Sequence, residues 1–285
     1  MVNPATILVT GAMVGSLYVL IAIGFSLIYG VRGVINLAHG AFIMLGAFAY
    51  LVAGGQVSGV AAFVIAILFV GLFAVGLYLG LVRYIEHNVV ITFLATVVVA
   101  LIIQQLLTLE YSLAPRSLEP IVSGGIAFAG TRVRYYQLIA FALSWVALGL
   151  LFLFVRRTTL GRNILATSMT EKGAKLAGTN VLYVNVATWF VAGAFAGFAG
   201  VFIGTLQSTS PTMWINPLGL AFIIVTIGGV GSIKGSIIAA YLIGFLETMT
   251  VTFVGPAWRG MFALLLLVVI ILAKPEGLFG REFIE

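Results

Sequence analysis

The side chains that could carry acid–base or metal chemistry are few in this sequence of 285 residues. Its eight acidic residues are all glutamates, its two histidines are His39 and His87, and it contains no cysteine. Thiolate metal sites and disulfides are therefore impossible, and carboxylates and imidazoles are too scarce for a conventional metal cage. We expect neither a hydrolytic or redox enzyme nor a cofactor bound by this chain.

Glu247 is the most conspicuous acidic residue inside an apolar run. A charged group at membrane depth usually faces the interior of a helix bundle or water, which makes it a functional candidate. The alternative is that Glu247 lies near the outer end of its helix, in contact with solvent. His39 is more typical of a hydrogen-bonded structural histidine than of a metal ligand or proton carrier, and the sequence leaves both roles open.

Two polar interruptions separate apolar runs, one in each half of the chain. The first spans residues 29–40 and contains Asn36 and His39, and the second spans residues 227–236 and contains Gly228, Gly229 and Gly231. In transporters, glycine-interrupted apolar segments at corresponding positions indicate broken helices near a substrate path. Such breaks must face protein or water, because bare backbone amides are costly in lipid. The alternative is that both interruptions are turns at the membrane surface.

The second interruption is not a nucleotide-binding loop. A P-loop needs a glycine directly before its lysine, whereas Ile233 precedes Lys234 here. Any ATP must therefore be hydrolysed elsewhere. The net charge of +6 does not indicate nucleic acid either, because basic residues also orient membrane proteins.

The elements that position these residues are predicted to be membrane-spanning helices. The sequence is 62% hydrophobic and only 8% charged, against about 25% charged in soluble domains. About 20 apolar residues are needed to cross the hydrocarbon core. Runs of this kind predict eight spans, near residues 6–30, 34–53, 60–82, 89–109, 135–155, 184–206, 235–254 and 257–273, and a shorter ninth at 217–231. The fold class is therefore all-α, a single polytopic transmembrane domain over residues 1–285 with eight or nine spans, some broken or re-entrant.

Small residues spaced four apart predict close packing between these helices, as in small-xxx-small interfaces. The pairs are Gly11 with Gly15, Gly76 with Gly80, Gly193 with Gly197, and Gly200 with Gly204. They indicate one compact bundle and do not by themselves indicate a function.

The distribution of basic residues predicts the orientation of the chain. If nine segments cross and the loop at 156–183 is cytoplasmic, ten of the 14 basic residues lie on that side: Arg32, Arg83, Arg156, Arg157, Arg162, Lys172, Lys175, Lys234, Lys274 and Arg281. The positive-inside rule then places the N-terminus outside and the C-terminus inside. The loop at 110–134 becomes external, and its alternating end, TRVRYYQ, is expected to pair as a short strand.

The loop at 156–183 is the longest polar stretch between apolar runs, and it contains a helix signal. Ser168 and Glu171 have the spacing of a capping box, and Gly178 suits a left-handed C-terminal cap, with Lys172 and Lys175 near the negative end of the dipole. Leu165, Met169, Gly173 and Leu176 fall on one face at helical spacing, and Glu171 and Lys175 form an i,i+4 pair. The sequence predicts a short amphipathic helix outside the bilayer, which a soluble partner could bind; a solvated connecting loop is the alternative.

Taken together, these segments resemble the permease subunits of branched-chain amino acid ABC transporters, in particular the shorter, H-type subunit. The resemblance extends over nearly the whole chain, through residues 15–48, 161–181, 192–204 and 228–247. The block Ile35-Asn36-Leu37-Ala38-His39-Gly40, joined to the long polar loop, is its most specific part.

The resemblance implies that the loop around Glu171, Ala174, Leu176 and Gly178 is a coupling helix that docks onto a cytoplasmic ATPase. Expected partners are two ATP-binding subunits, a second related permease, a periplasmic substrate-binding protein and membrane lipid, but no nucleic acid. The substrate is expected to be a branched-chain or other hydrophobic amino acid, and the location the bacterial inner membrane. The sequence departs from the family pattern at Thr170 and Thr179, on the contact surface, which bears on which ATPase fits.

Other functions remain open at this stage. The same family includes permeases for urea and short-chain amides. A self-sufficient secondary transporter would need a carboxylate that cycles its proton inside the membrane, and Glu247 is the one candidate. Under the ABC hypothesis, Glu171→Lys uncouples ATP hydrolysis from uptake while the subunit stays in the membrane.

Overall fold

The computed structural model describes residues 4–128 and 131–280, and these form helices joined mostly by short turns. The helices are α1 Pro4–Arg32, α2 Ala38–Gly54, α3 Gly59–Leu77, α4 Arg83–Ile85, α5 Val89–Tyr111, α6 Tyr135–Arg157, α7 Thr159–Met169, α8 Glu171–Leu176, α9 Val181–Gln207, α10 Ile215–Gly228, α11 Ile233–Phe253 and α12 Met261–Ala273. A π-helical turn, Tyr78–Val82, joins α3 to α4 as one continuous span.

Within the described residues, seven helices are long and apolar enough to cross a membrane, and α2 and α10 are shorter apolar helices. The chain is therefore a polytopic helical membrane protein, as predicted. The region 34–53 was expected to be a full span, but its helix α2 begins only at Ala38 and has 17 residues. The region 217–231, predicted to be short, contains α10, which has 14 residues.

Helix α1 lies at the centre of the bundle. Its residues Leu20, Ile21, Ala22 and Ile23 have no exposed surface, and four consecutive residues cover the whole circumference of an α-helix. Neighbouring helices therefore surround α1 on every side, and its main packing partners are α11, α9, α10 and α6. By contrast, α5 packs mainly against α2, and α12 exposes most of its apolar residues.

Glycines account for the closest helix contacts. A Cβ at Gly244 of α11 would lie 2.6 Å from the backbone of Gly15 in α1, and a Cβ at Gly46 of α2 would lie 2.5 Å from the backbone of Gly197 in α9. These approaches confirm the predicted small-residue interfaces. The prediction for Gly76 and Gly80 is wrong, because nothing lies within 4 Å of either position.

The bundle has two chemically different ends. At one end, a β-hairpin of β1 Gly125–Phe128 and antiparallel β2 Thr131–Arg134 lies beside the start of α1. This hairpin confirms the predicted short strand and adds a small sheet to the helical fold. We call this the hairpin end.

The opposite end, which we call the basic end, contains the C-terminus of α1 and the helices α7 and α8. Following the helices along the chain places nine of the ten predicted residues there: Arg32, Arg83, Arg156, Arg157, Arg162, Lys172, Lys175, Lys234 and Lys274. The tenth, Arg281, lies outside the described residues. The charge asymmetry expected from the sequence is therefore present between the two ends.

Candidate functional site

The polar segment at the basic end folds as two helices instead of one. Helix α7 ends at Met169, Thr170 is extended, and α8 begins at Glu171. The predicted capping box with Ser168 is wrong: Ser168 lies inside α7, and its hydroxyl donates to the carbonyl of Leu165. The cap is Thr170, whose hydroxyl oxygen accepts the amide of Gly173 at 3.4 Å. The earlier start of α7, capped by Thr158, places Ser168 in the helix interior.

The predicted end of α8 at Gly178 is confirmed. Gly178 has φ +79°, a conformation that glycine adopts without the steric cost of a Cβ. Its amide donates to Lys175 at 3.0 Å, and the next amide, of Thr179, donates to Ala174 at 2.9 Å. These two bonds form a Schellman motif, so this six-residue helix is closed at both ends by local hydrogen bonds.

An ion-pair network joins α8 to the rest of the bundle. The Arg32 guanidinium, at the end of α1, binds both carboxylate oxygens of Glu86 and also one oxygen of Glu171. Lys175 pairs with the other oxygen of Glu171 at 2.6 Å, which is the predicted i,i+4 contact. The side chain of Glu86 is only 5% exposed, whereas that of Glu171 is 37% exposed. Arg32 therefore neutralises a buried acid and positions α8 with the same planar group.

The charges around Glu171 also change its titration. Hydrogen bonding from Lys175, followed by the charge of Arg32, lowers the pKa of the Glu171 carboxyl. Glu171 is therefore ionised throughout the neutral range.

The outer surface of this segment combines apolar and basic side chains. Leu176 is 90% exposed, and Leu165 and Met169 are also exposed, whereas Ala174 is buried against the bundle. Lys172 and Lys175 lie on the same exposed side of the segment. Exposed apolar side chains on two consecutive capped helices outside the spans are typical of a protein-docking surface.

The first predicted interruption does break a helix at membrane depth. Residues 33–37 are not helical, and this segment leads from the end of α1 back toward the middle of the same helix. There the His39 ring lies 3.0 Å from the carbonyl oxygen of Ile21. Ile21 is about 16 Å from the basic end of α1, at 1.5 Å per residue. Helix α2 therefore begins deep inside the bundle.

Asn36 and His39 are fully enclosed at this break. The Asn36 side-chain oxygen accepts the amide of Ala38 at 3.0 Å, and Thr96 of α5 accepts the amide of Leu37 at 3.1 Å. His39 packs edge-on against Phe25 and Phe42. Within residues 4–128 and 131–280, the Asn36 amide nitrogen and His39 Nδ1 have no hydrogen-bond partner. The observed bonds cap α2 and support the structural role for His39.

A second break at membrane depth precedes the short run at 217–231; the sequence analysis predicted a short run there and some broken or re-entrant spans, but not a break at residues 208–214. The chain leaves α9 at the hairpin end, where Thr209 pairs with Arg116, and reaches α10 through the non-helical residues 208–214. A Cβ at Gly40 would lie 2.6 Å from the carbonyl oxygen of Trp214. The N-termini of α2 and α10 therefore meet inside the bundle, and α10 runs from there to the basic end. The signal that could have revealed this was the short length of the apolar run at 217–231.

The second predicted interruption is instead a turn at the basic end. Gly229 and Gly231 have positive φ angles, of +97° and +80°, and the amides of Leu278 and Phe279 donate to the carbonyls of Ile227 and Gly228. The two glycine segments nevertheless meet, because a Cβ at Gly231 would lie 3.2 Å from the Cα of Gly30. For residues 227–236, the alternative interpretation, a turn at the end of the bundle and not a break inside it, is therefore correct.

Glu247 is buried, which contradicts the solvated alternative. Its side chain is 3% exposed, pairs with Arg259 at 2.8 Å, and accepts the hydroxyl of Tyr18. Arg259 belongs to the turn between α11 and α12 at the hairpin end. The carboxylate therefore fastens this turn to α1. Among the described residues, no group of three histidine or acidic side chains could hold a metal ion.

Comparison with known proteins connects this architecture to transport. A family described as "Branched-chain amino acid transport system / permease component" matches residues 7–271. The high-affinity branched-chain amino acid transport system permease protein BraD of Pseudomonas aeruginosa is 27% identical, over 98% of this chain and 96% of its own. The corresponding protein LivH of Escherichia coli K12 is 26% identical, over 96% and 95%.

A more distant similarity covers only part of the chain. The ribose import permease protein RbsC of Haemophilus influenzae is 31% identical over 38% of this chain and 34% of its own. No solved structure is significantly similar.

Proposed function

This chain belongs to the family of branched-chain amino acid transport system permease components, and on that premise we propose that it is the H-type permease subunit of an ATP-driven importer. Its relatives are named as permease proteins and not as enzymes. The proposed complex contains this chain, a second related permease, two cytoplasmic ATP-binding subunits and a periplasmic substrate-binding protein. No cofactor is assigned to this chain, and ATP is bound by the partners.

The observation that carries the proposal is the geometry of α8. A six-residue helix with a Thr170 cap and a Schellman motif at Gly178 holds Leu176 in solvent, and Arg32 connects it to the central helix α1. An ATPase that binds Leu176 would thus act on α1 through Glu171. The proposed docking residues are Ser168, Glu171, Lys172, Ala174, Lys175, Leu176 and Gly178, with Ser168 on α7 and Ala174 in a supporting position.

The orientation follows from the charges at the two ends. Nine basic residues lie at the basic end, and the positive-inside rule makes that end cytoplasmic. In the bacterial inner membrane, the N-terminal end of α1 would then face the periplasm, and the C-terminal residues 276–280 the cytoplasm. The hairpin end becomes the surface that a loaded substrate-binding protein approaches.

The proposed substrate path runs past the helix break at residues 33–37 and the glycine turn at the basic end. Asn36 and His39 hold the N-terminus of α2, while Gly228, Gly229 and Gly231 form the turn that touches the end of α1. A push on α8 would reach both groups through α1, which makes them candidate gating positions. The relatives named for branched-chain amino acid transport support such an amino acid as substrate, with urea or short-chain amides as the alternative.

A proton-coupled secondary transporter is the weaker alternative. Its cycling carboxylate would have to be Glu247, but that group is paired with Arg259 and Tyr18. We therefore assign Glu247 as a gating or structural residue of the importer.

Purification of the tagged protein in mild detergent from its native host tests the assembly. Mass spectrometry should identify a second permease and two ATP-binding proteins with the unaltered chain. Leu176→Asp should lose the ATP-binding proteins and keep the second permease, because this change places a charge in the docking surface and breaks no ion pair.

Leu113→Asp is the matched control. Leu113 is also an exposed leucine in a polar segment, but it lies at the hairpin end, so this variant should retain both ATP-binding proteins. Recovery of the chain without any ATP-binding protein, in a preparation that still takes up substrate, would refute the ATP-driven mechanism. Solute identity is then measured by uptake of leucine against urea in proteoliposomes.

A further inference from the structure

The junction of α6 and α7 at the basic end concentrates three arginines. Arg156 and Arg157 form the end of α6, and Arg162 lies in the first turn of α7. A Cβ at Gly161 would lie 2.3 Å from the carbonyl oxygen of Phe154, so the first turn of α7 packs directly on the last turn of α6. All three arginines are exposed, and we call this group the arginine corner.

The arginine corner has no counter-charge within the described part of the chain. None of its three guanidinium groups makes an ion pair or a hydrogen bond there. The acids Glu86 and Glu171 at the same end are instead bound by Arg32 and Lys175. Cations held close together repel one another, and an anion placed between them removes this repulsion. The charge of the corner therefore favours an anionic ligand from outside the chain.

The arginine corner also lies at the depth of a lipid phosphate. Helix α6 has 23 residues, a length of about 35 Å at 1.5 Å per residue, which spans the roughly 30 Å hydrocarbon core and ends at its boundary. Val146, Leu150 and Leu153 are 55–60% exposed. Their spacings of four and three place them in one stripe, which reaches Arg157 four residues later. This stripe provides a surface for an acyl chain directly beside a cation for its phosphate.

Helix α7 separates the arginine corner from the docking surface. Its residue Ile164 packs against Val31 at the end of α1 and Val184 at the start of α9, so α7 lies across the ends of the spans. Arg162 is in the turn next to α6, whereas the exposed Leu165 follows toward α8. The corner therefore adjoins the exposed stripe of α6, and the docking surface adjoins α8.

We propose that the arginine corner is a binding site for an anionic phospholipid such as phosphatidylglycerol. The planar guanidinium groups donate hydrogen bonds to the phosphate oxygens, and one acyl chain packs along the stripe of α6. Clusters of basic residues directly beside a span recognise anionic headgroups, whereas a soluble protein cannot follow the stripe into the bilayer. Because α7 leads to α8, a lipid bound to both α6 and α7 also holds the base of the polar segment. This site does not depend on the proposed transport function.

Native mass spectrometry of the full-length protein, with any subunits that copurify in mild detergent, measures the bound lipid. Phosphatidylglycerol and phosphatidylethanolamine with identical acyl chains are added to delipidated protein at increasing concentrations. We expect the wild type to prefer phosphatidylglycerol. Arg157→Gln with Arg162→Gln should bind it roughly 10- to 30-fold more weakly, at about fivefold for each arginine. The matched control, Arg83→Gln with Lys234→Gln, removes two other exposed cations of the basic end and should bind like the wild type.

Photocrosslinking of the wild type maps the site without any substitution. A phosphatidylglycerol with a diazirine in its acyl chain is added to the protein and irradiated, and the modified peptides are identified by mass spectrometry. Adducts should lie in residues 146–153 of α6. Adducts confined to other helices would overturn the assignment.

The remaining outcomes separate this site from its alternatives. Equal weakening in the control variant, or no weakening in either variant, would show that the arginine corner is not the site. Displacement of the lipid by an equal concentration of glycerol 3-phosphate would indicate a site for free phosphate instead. If Arg157→Gln with Arg162→Gln keeps its lipid but loses copurifying ATP-binding proteins, the corner belongs to the docking surface. Both double variants should unfold at the wild-type temperature in lipid-free detergent, because the side chains removed have no ion-pair partner within the described residues.

Discussion

Removing Glu171 and removing its partner Arg32 should have very unequal consequences for stability. In Glu171→Gln, Arg32 keeps its two bonds to Glu86, and the lost partner is 37% exposed, so the cost is that of a surface ion pair, about 0.5–1 kcal/mol. In Arg32→Gln, the Glu86 carboxylate, 5% exposed, is left without its cation, and breaking such a buried pair costs about 3–5 kcal/mol. That is a large part of a typical folding stability of about 5–15 kcal/mol.

The assay is the amount of monodisperse protein in detergent together with its thermal unfolding midpoint. Glu171→Gln should accumulate like the wild type, whereas Arg32→Gln should be depleted and unfold at a lower temperature. The double variant Arg32→Gln with Glu86→Gln should recover much of the loss, because no uncompensated charge remains buried. Equal stability of the two single variants, or a double variant no better than Arg32→Gln, would refute this explanation.

The ion pair between Arg32 and Glu171 also leads to a prediction about transport. Glu171→Lys places a third cation beside Arg32 and Lys175, so α8 should lose its connection to α1 while its caps remain. In the reconstituted complex, ATP hydrolysis should continue and uptake per ATP should fall. Unchanged uptake by this variant would show that Glu171 has no coupling role.

Acid should reversibly remove the contribution that Glu171 makes to the stability of the folded protein. Lys175 and Arg32 lower the pKa of this carboxyl in the folded protein. Such a group adds stability above its unfolded-state pKa, and this contribution is lost as the pH falls through the folded-state pKa. The difference in unfolding midpoint between wild type and Glu171→Gln should thus be constant near neutral pH and disappear on acidification below the ordinary carboxyl range. A difference that persists in acid would contradict this assignment.

Two further predictions concern packing and capping. Gly200→Ala should lower the free energy of unfolding by at least about 1–3 kcal/mol, because the new Cβ would overlap a backbone carbonyl of α2. Gly76→Ala is the control: nothing lies near this position, so its unfolding midpoint should be unchanged or slightly higher. Thr96→Val should cost about 1 kcal/mol or more of the free energy of unfolding by leaving the partly buried amide of Leu37 without its acceptor. Thr108→Val should be nearly neutral, because the Thr108 hydroxyl donates to Gln104 within its own helix. Both predictions are tested by measuring the thermal unfolding midpoints of the four variants and comparing Gly200→Ala with Gly76→Ala and Thr96→Val with Thr108→Val.

Much of the fold is readable from local pattern. Long apolar runs predicted the seven full spans, and Thr131–Arg134 pairs as the predicted strand. The end of α8 followed from Gly178, since few other residues adopt a positive φ at a helix end. The start of α8 was misassigned because Ser168 and Thr170 are both good caps, and the choice depended on where the preceding helix α7 ended.

The sequence by itself therefore determined the membrane class, the charge asymmetry and the presence of a capped polar helix, because hydropathy, charge and capping act over a few neighbouring residues. Only the tertiary structure decided which groups meet. Arg32 joins Glu171 across 139 positions of sequence, and the start of α10 reaches the start of α2 through a return segment whose depth no local pattern encodes. Such contacts depend on how the helices pack around α1, since each side chain finds its partner only after the bundle has assembled.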